Sequence, residues 1–389
     1  MLDRMIKRFR PETKSSATQG VIAVTRPAGP VWTPRDYASL ARAGYERNVI
    51  AYRCIRLVAE AAAATPLIVS NGTDRYTDHP LISLLRRPNE ADSGAALLEK
   101  VYGYLQTAGN AYLEAVRLDT GEVRELHALR PDRMKVRLGR DGWAAAYEYG
   151  AGEKKAVFAE SDDGFLPILH LKSFHPTNDH YGLSPLEAAA SSVDLHNSAL
   201  AWNKALLDNA ARPSGALVYQ GPQGAENLTQ DQFDRLKSEL VDAYSGAANA
   251  GRPLILDGGL DWKTMSYSPS DMDFQNAKNS AAREIALAFG VPPMLLGIPG
   301  DNTYANYREA NLAFWKQTVL PLVKKTATAF TNWLGPQFGG AVIACDITSV
   351  DALSSERDAL WKRVSEADFL ETDEKRRLLG LAPREGGLS

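Results

Sequence analysis

The sequence predicts an α+β fold built in several parts, and three observations carry that prediction. Runs with helical spacing of apolar residues occupy 48–64, 184–211, 271–289 and 304–334. Between Ala111 and Phe174 the apolar period drops to two, with DTGE and RDGW placed as hairpin turns. A second stretch with strand character, 216–268, separates two of the long helical runs. Those helices can therefore run antiparallel, with a small α/β insert at one tip.

Taken in order, residues 11–34 are rich in Pro, Gly, Ser and Thr and read as a tail or arm. The arm is expected to extend over 1–44, with order beginning near Tyr45. Met1–Arg10 is basic and faintly amphipathic but lacks the apolar core of a signal peptide. It reads either as a frayed helical terminus or as a docking arm. Asn48–Ala64 is a helix ended by Thr65-Pro66, and LIVS begins a strand. His79-Pro80 starts a short helix, and Ser93 opens another that Gly109-Asn110 closes. Hairpins follow, then the strand FLPILHLKSF, giving an α+β region with an antiparallel sheet over roughly 45–183.

Ser184-Pro185-Leu186-Glu187 reads as a capping box, contributing about 1 kcal/mol. The helix it opens can reach Ala211, a length of about 40 Å. Leu186, Val193, Leu200 and Leu207 recur every seven residues, with Ala, Ser and Asn at most other positions. This narrow seam suits close packing among parallel neighbours, or one helix of an ordinary bundle. The insert then holds the strand ALVYQG, a helix to about Tyr244, and a hairpin of RPLIL and LDWKTMSY around Asp257-Gly258-Gly259. A helix from about Asp271 returns to Gly290, before Val291–Gly297 and the polar run IPGDNTYAN. The last long helix, Tyr304–Leu334, contains Pro321. An interior proline costs about 3 kcal/mol unless a bend is built in, so a kink is expected between Gln317 and Pro321. AVIACDI is a final strand, and 354–379 reads as two short polar helices.

Composition and charge narrow the function. With 44% apolar and 23% charged residues the chain is not a disordered one. Its net charge of -3 gives no basic footprint for wrapping nucleic acid, although DNA could still slide past it, since phosphate ion pairs would act as a brake. Cys54 and Cys345 fit no metal spacing and point to synthesis in a reducing compartment. No run reaches the roughly 18 apolar residues of a membrane span. The phosphate loop GxxxxGK[ST] is missing, as are GxGxxG, GxSxG and HExxH. His170, His175 and His180 are spaced by five, which puts strand neighbours on opposite faces. They read as a surface strand and loop, with a zinc site or a hydrolase centre as the competing reading. Asp162-Asp163 reads as the cap of a solvated turn. No cofactor and no catalysis are expected.

Several motifs, in order, carry a resemblance: YGLSPL at 181–186, NAARPSG at 209–215, NAGRPLILDGGL at 249–260, FGVPP at 289–293, LLG at 295–297, TYAN at 303–306 and NLAF at 311–314. Together they make the chain similar to the portal proteins of long-tailed bacteriophages and of phage-like gene transfer agents, over roughly 48–351. The resemblance implies a portal fold with wing, long-helix stem, clip, tunnel loop and crown, closed into a ring of about twelve copies. It implies a wing over 45–183 and 307–352, stem helices at 184–212 and 269–290, a clip at 213–268, a tunnel loop at 291–306 and a reduced crown at 353–389. On it, Asp301, Asn302, Thr303, Tyr304 and Asn306 would face DNA without sequence preference, and Pro321 would be the helix kink. Asn249, Arg252 and Asp257 would lie on the clip surface that meets partners. Those partners would be the terminase large subunit, a head–tail adaptor and the major capsid protein. The location would be a capsid vertex of the virion, after assembly in the host cytoplasm. Another structural ring of the virion, such as a head–tail connector, is the neighbouring reading.

Overall fold

In the computed structural model, residues 32–72, 74–152, 154–208, 215–219, 229–244, 260–264, 274–299 and 304–379 are described. The chain divides into Met1–Trp32 and Thr33–Ser389, and the architecture below is that of the second unit.

Its first element starts earlier than the sequence suggests. The arm expected to run to residue 44 gives way at α1 (Tyr37–Leu40), capped by Asp36, and continues as a π-helical turn over Ala41–Glu46. The signal is weak because a single polar cap starts it and Gly44 sits inside it. A Cβ there would lie 2.4 Å from Leu186 Cδ1, so any larger residue would push the buried Leu186 side chain aside.

Helix α2 (Val49–Ala64) begins where Asn48 accepts from the backbone N–H groups of Ile50 and Ala51, at 3.1 and 3.0 Å. Its spacing buries Cys54, Ile55, Val58 and Ala62 against α4 (Gly94–Ala108), which offers Leu97, Val101, Tyr102 and Leu105. Each large apolar side chain so enclosed contributes about 1.5–3 kcal/mol. Gly109 closes α4 in the left-handed conformation, φ 69°. Between the two helices lie β1 (Leu67–Ser70) and α3 (Pro80–Arg86).

The strand region forms two sheets, where one was expected. In the first, β2 (Asn110–Arg117) lies between β3 (Val123–Leu129) and β7 (Ile168–Lys172). In the second, β5 (Ala144–Ala151) lies between β4 (Met134–Leu138) and β6 (Lys154–Ala159). Strand β6 has no expectation behind it: KKAVFA opens on two lysines and has no clear alternation. A separate cluster of Tyr112, Met134, Tyr147 and Ile168 joins the two sheets. Far along the chain, β10 (Val342–Cys345) pairs antiparallel with β1, Leu67 opposite Cys345.

The helix expected from Ser184 is broken at Ala189 into α5 (Pro185–Ala188) and α6 (Ala190–Asp208). Ser184 caps it, its Oγ accepting from Glu187 N–H at 2.9 Å. Leu186 and Val193 of the heptad seam are buried and Leu200 is half-buried, so this half of the seam faces the chain's own core. In the insert, β8 (Gly215–Tyr219) pairs antiparallel with β9 (Leu260–Thr264), and α7 spans Gln230–Tyr244. The RPLIL strand proposed as the partner of LDWKT lies outside the described residues. The remaining helices are α8 (Phe274–Ala288), α9 (Tyr304–Phe314), α10 (Leu320–Leu334), α11 (Ser354–Ser365) and α12 (Thr372–Leu378).

Candidate functional site

Small side chains bring α6 and α8 together. Ala190, Val193 and Ala199 on one helix and Ala281, Ala282, Ile285 and Ala286 on the other are all buried. Ser192 Oγ donates to Glu284 Oε2 at 2.6 Å, while the charge of Lys278 acts on His196. Ascending positions on α6 thus meet descending positions on α8, so the pair is antiparallel. At its far end Val291 and Ile298 return to the core, with a 3-10 turn over Pro293–Leu296 between them.

Of the segment 291–306, expected as a loop, the described part 291–299 therefore packs beside α8. Tyr304 is the first residue of α9 and Asn306 lies exposed in its opening turn. The run YANYREANLAF, free of Gly and Pro, supports helix from Tyr304 onward. Asp301, Asn302 and Thr303 lie outside the described residues, as do Asn249, Arg252 and Asp257.

Pro321 is the second residue of α10, directly after a π-helical turn over Trp315–Val319. Leu320 N–H reaches back five residues to Trp315 O. A proline at 321 offers no N–H to Gln317, and the widened turn absorbs the missing bond within the helix. The same turn carries Thr318, whose Oγ1 donates to Gly290 O at 2.6 Å. Arg283 of α8 donates to Pro299 O. No sequence expectation covered Thr318, Gly290 or Arg283 as a group. Their contacts span 28 and 16 residues, and only a glycine at a helix end hinted at any of them.

The histidines do not form a centre. His170 Nε2 bonds to Asn110 Oδ1 at 3.0 Å, and its ring stacks on Tyr112 with centroids 4.3 Å apart. Part of the residue reaches solvent, yet the ring is enclosed by Tyr112 and Tyr147, and burial pulls its pKa down to about 3. His175 instead accepts from Thr177 N–H at 3.2 Å. Among the described residues no group of His, Cys, Asp or Glu is placed to hold a metal ion. No helix among them is long and apolar enough to cross a membrane. Asp163 accepts from Phe165 N–H at 3.3 Å and pairs with Arg117 at 2.6 Å, which caps its turn.

Comparison with known proteins matches residues 50–380 to the model of the family described as phage portal protein. An uncharacterized protein of Rickettsia bellii (strain RML369-C) is 42% identical over 342 residues, covering 87% of each chain. The portal protein of Enterobacteria phage HK97 is 26% identical, over 86% of this chain and 79% of its own. Among solved structures, a chain in the neck of an empty gene transfer agent (GTA) particle is 53% identical, with TM-score 0.73 over 92% of this chain and 96% of that one. The neck of a native GTA particle computed with C12 symmetry gives 52% identity and TM-score 0.70, over 91% and 96%.

Proposed function

The chain belongs to the phage portal protein family, and from that premise we propose that it closes into a ring of about twelve copies at one capsid vertex, through which double-stranded DNA is packaged and later ejected. The family is structural and its members are not enzymes.

The observation that carries this reading is the antiparallel α6–α8 pair ending in an anchored turn beside the exposed start of α9. It is what a stem and a DNA-facing element require. Apolar side chains point outward beside it: Val49 on α2 is 64% exposed, Leu195 on α6 47% and Leu287 on α8 79%. A neighbouring copy would cover such groups, as the C12 symmetry of the related neck supports. The net charge of -3 suits DNA that must keep moving, because each phosphate ion pair formed would have to be broken again.

On this reading the clip, 213–268, docks the terminase large subunit during packaging and the head–tail adaptor afterwards, with Asn249, Arg252 and Asp257 on its partner surface. The wing meets the major capsid protein, and Asp301, Asn302, Thr303, Tyr304 and Asn306 touch DNA by shape and hydrogen bonding. The particle assembles in the host cytoplasm. Electron microscopy of the purified chain should show rings with a central hole about as wide as a duplex. Monomers or compact dimers at every salt concentration would overturn the reading.

A further inference from the structure

The segment from Gly290 to Pro299 is held at both ends by side chains from two different helices. At its start, Thr318 Oγ1 donates to Gly290 O at 2.6 Å. Gly290 has φ +64°, and a Cβ there would lie 2.6 Å from Thr318 Oγ1, so this close approach needs glycine. At its end, the Arg283 guanidinium donates to Pro299 O. Between the two ties, Val291 N–H bonds Ala286 O at 2.9 Å, Leu295 N–H bonds Pro292 O at 3.0 Å, and Ile298 N–H bonds Pro293 O at 3.3 Å. Val291 and Ile298 fix the middle by burial.

Thr318 belongs to the π turn, a rare element that is often found at functional sites. Here the turn spends a side-chain hydroxyl on the end of α8. The result is a mount: α8, the turn 291–299 and the junction of α9 with α10 are tied at one place. Just beyond it, Asn306, Tyr307 and Arg308 lie exposed in the first turns of α9.

We infer that Thr318 and Arg283 are positioning residues that set the depth at which the first turns of α9 are presented to DNA. The inference rests on the ring reading above. Neither residue needs to touch DNA. A segment pinned at both ends resists the axial push of a moving duplex, whereas one held at a single end would yield to it.

The test uses the full chain carrying Thr318→Val, which keeps the shape and removes the hydroxyl, and Thr318→Ser, which restores it. Arg283→Met serves as an independent variant at the other tie. Two readouts are taken: hydrogen exchange at the amides of Val291, Leu295 and Ile298, and nuclease-protected DNA in particles assembled with each variant. Loss of one hydrogen bond should speed exchange roughly fivefold in the Val and Met variants. Protected DNA should fall several-fold while rings still form, and Ser should restore both readouts. Unchanged exchange would remove the clamp itself. Faster exchange with normal DNA content would remove the positioning role and leave the portal reading standing, since ring formation by the wild-type chain tests that separately.

Discussion

Asn48 donates its side-chain amide to Nδ1 of His196 across 3.2 Å, and the rest of the network fixes the direction of that bond. Its Oδ1 is already occupied by the N–H groups of Ile50 and Ala51. Its Nδ2 also donates to Asn197 Oδ1 at 2.9 Å, and Asn197 in turn donates to Ala43 O at 2.9 Å. His196 Nδ1 must accept, so the neutral ring carries its proton on Nε2. One asparagine thereby caps α2 and joins it to α6 and the first π turn. Asn48→Ala should cost about 2–3 kcal/mol, combining a lost cap with unpaired buried groups. Asn48→Asp keeps the acceptor for Ile50 and Ala51 and should recover only the cap. Denaturant midpoints of the two variants decide it, and equal midpoints for Ala and wild type would remove the network from the stability of the fold.

Protonation of His196 should loosen the same region, and protonation of His170 the first sheet. Burial, with the Lys278 charge second, holds the His196 pKa below its ordinary value, and burial takes His170 down to about 3. Below the unfolded value of about 6.5 the unfolded chain binds protons that the folded chain refuses, so stability falls as pH drops toward those lowered values. Each histidine contributes a slope of up to about 1.4 kcal/mol per pH unit in that window. Thermal melts between pH 7 and pH 4.5 should show the fall, and His170→Asn should flatten it. A melting temperature independent of pH over that range would contradict the assignment.

Two glycines should respond in opposite ways to the same substitution. A Cβ at Gly182 would sit 2.2 Å from Gly109 O and 2.6 Å from Ser173 N, all backbone atoms that cannot give way cheaply. Gly182→Ala should cost several kcal/mol, on the order of a severe core defect, and lower the soluble yield. Gly103, inside α4, meets nothing within 4 Å. Gly103→Ala should stabilise by about 0.5–1 kcal/mol, read as a higher melting temperature.

Pro321→Ala should change stability by less than about 1 kcal/mol, far short of the roughly 3 kcal/mol an interior helical proline usually costs. The π turn over Trp315–Val319 has already diverted the bond that Pro321 cannot make. A gain of 3 kcal/mol in the alanine variant would mean that the proline strains the helix after all.

Local signals made much of this fold legible. Ser93 and Gly109 bracket α4, Ser184 caps α5, and Asn48 starts α2, because caps and stops lie within four residues of what they control. Elements made by distant partners were not legible. The tie of Thr318 to Gly290, the pairing of β1 with β10, and the division of the strands into two sheets depend on residues far apart in sequence. Hydrophobic period does not encode which strands meet. The two π turns escaped for another reason: no cap or stop residue marks where a helix widens by one residue. In the candidate site, the motifs placed the helices flanking 290–303, yet gave no sign that the turn between them is clamped.

The pairing of β1 with β10 also sets a timetable. Leu67–Ser70 emerges early in synthesis and has no strand to join until Val342–Cys345 has been made. Helices α2 and α4 can meet soon after leaving the ribosome, but the edge beside them stays open while residues 109–341 follow. Contacts this distant are slow to form and leave a strand edge unpaired meanwhile. On the ring reading, a subunit that completes this strand pair last is late to become a sound building block.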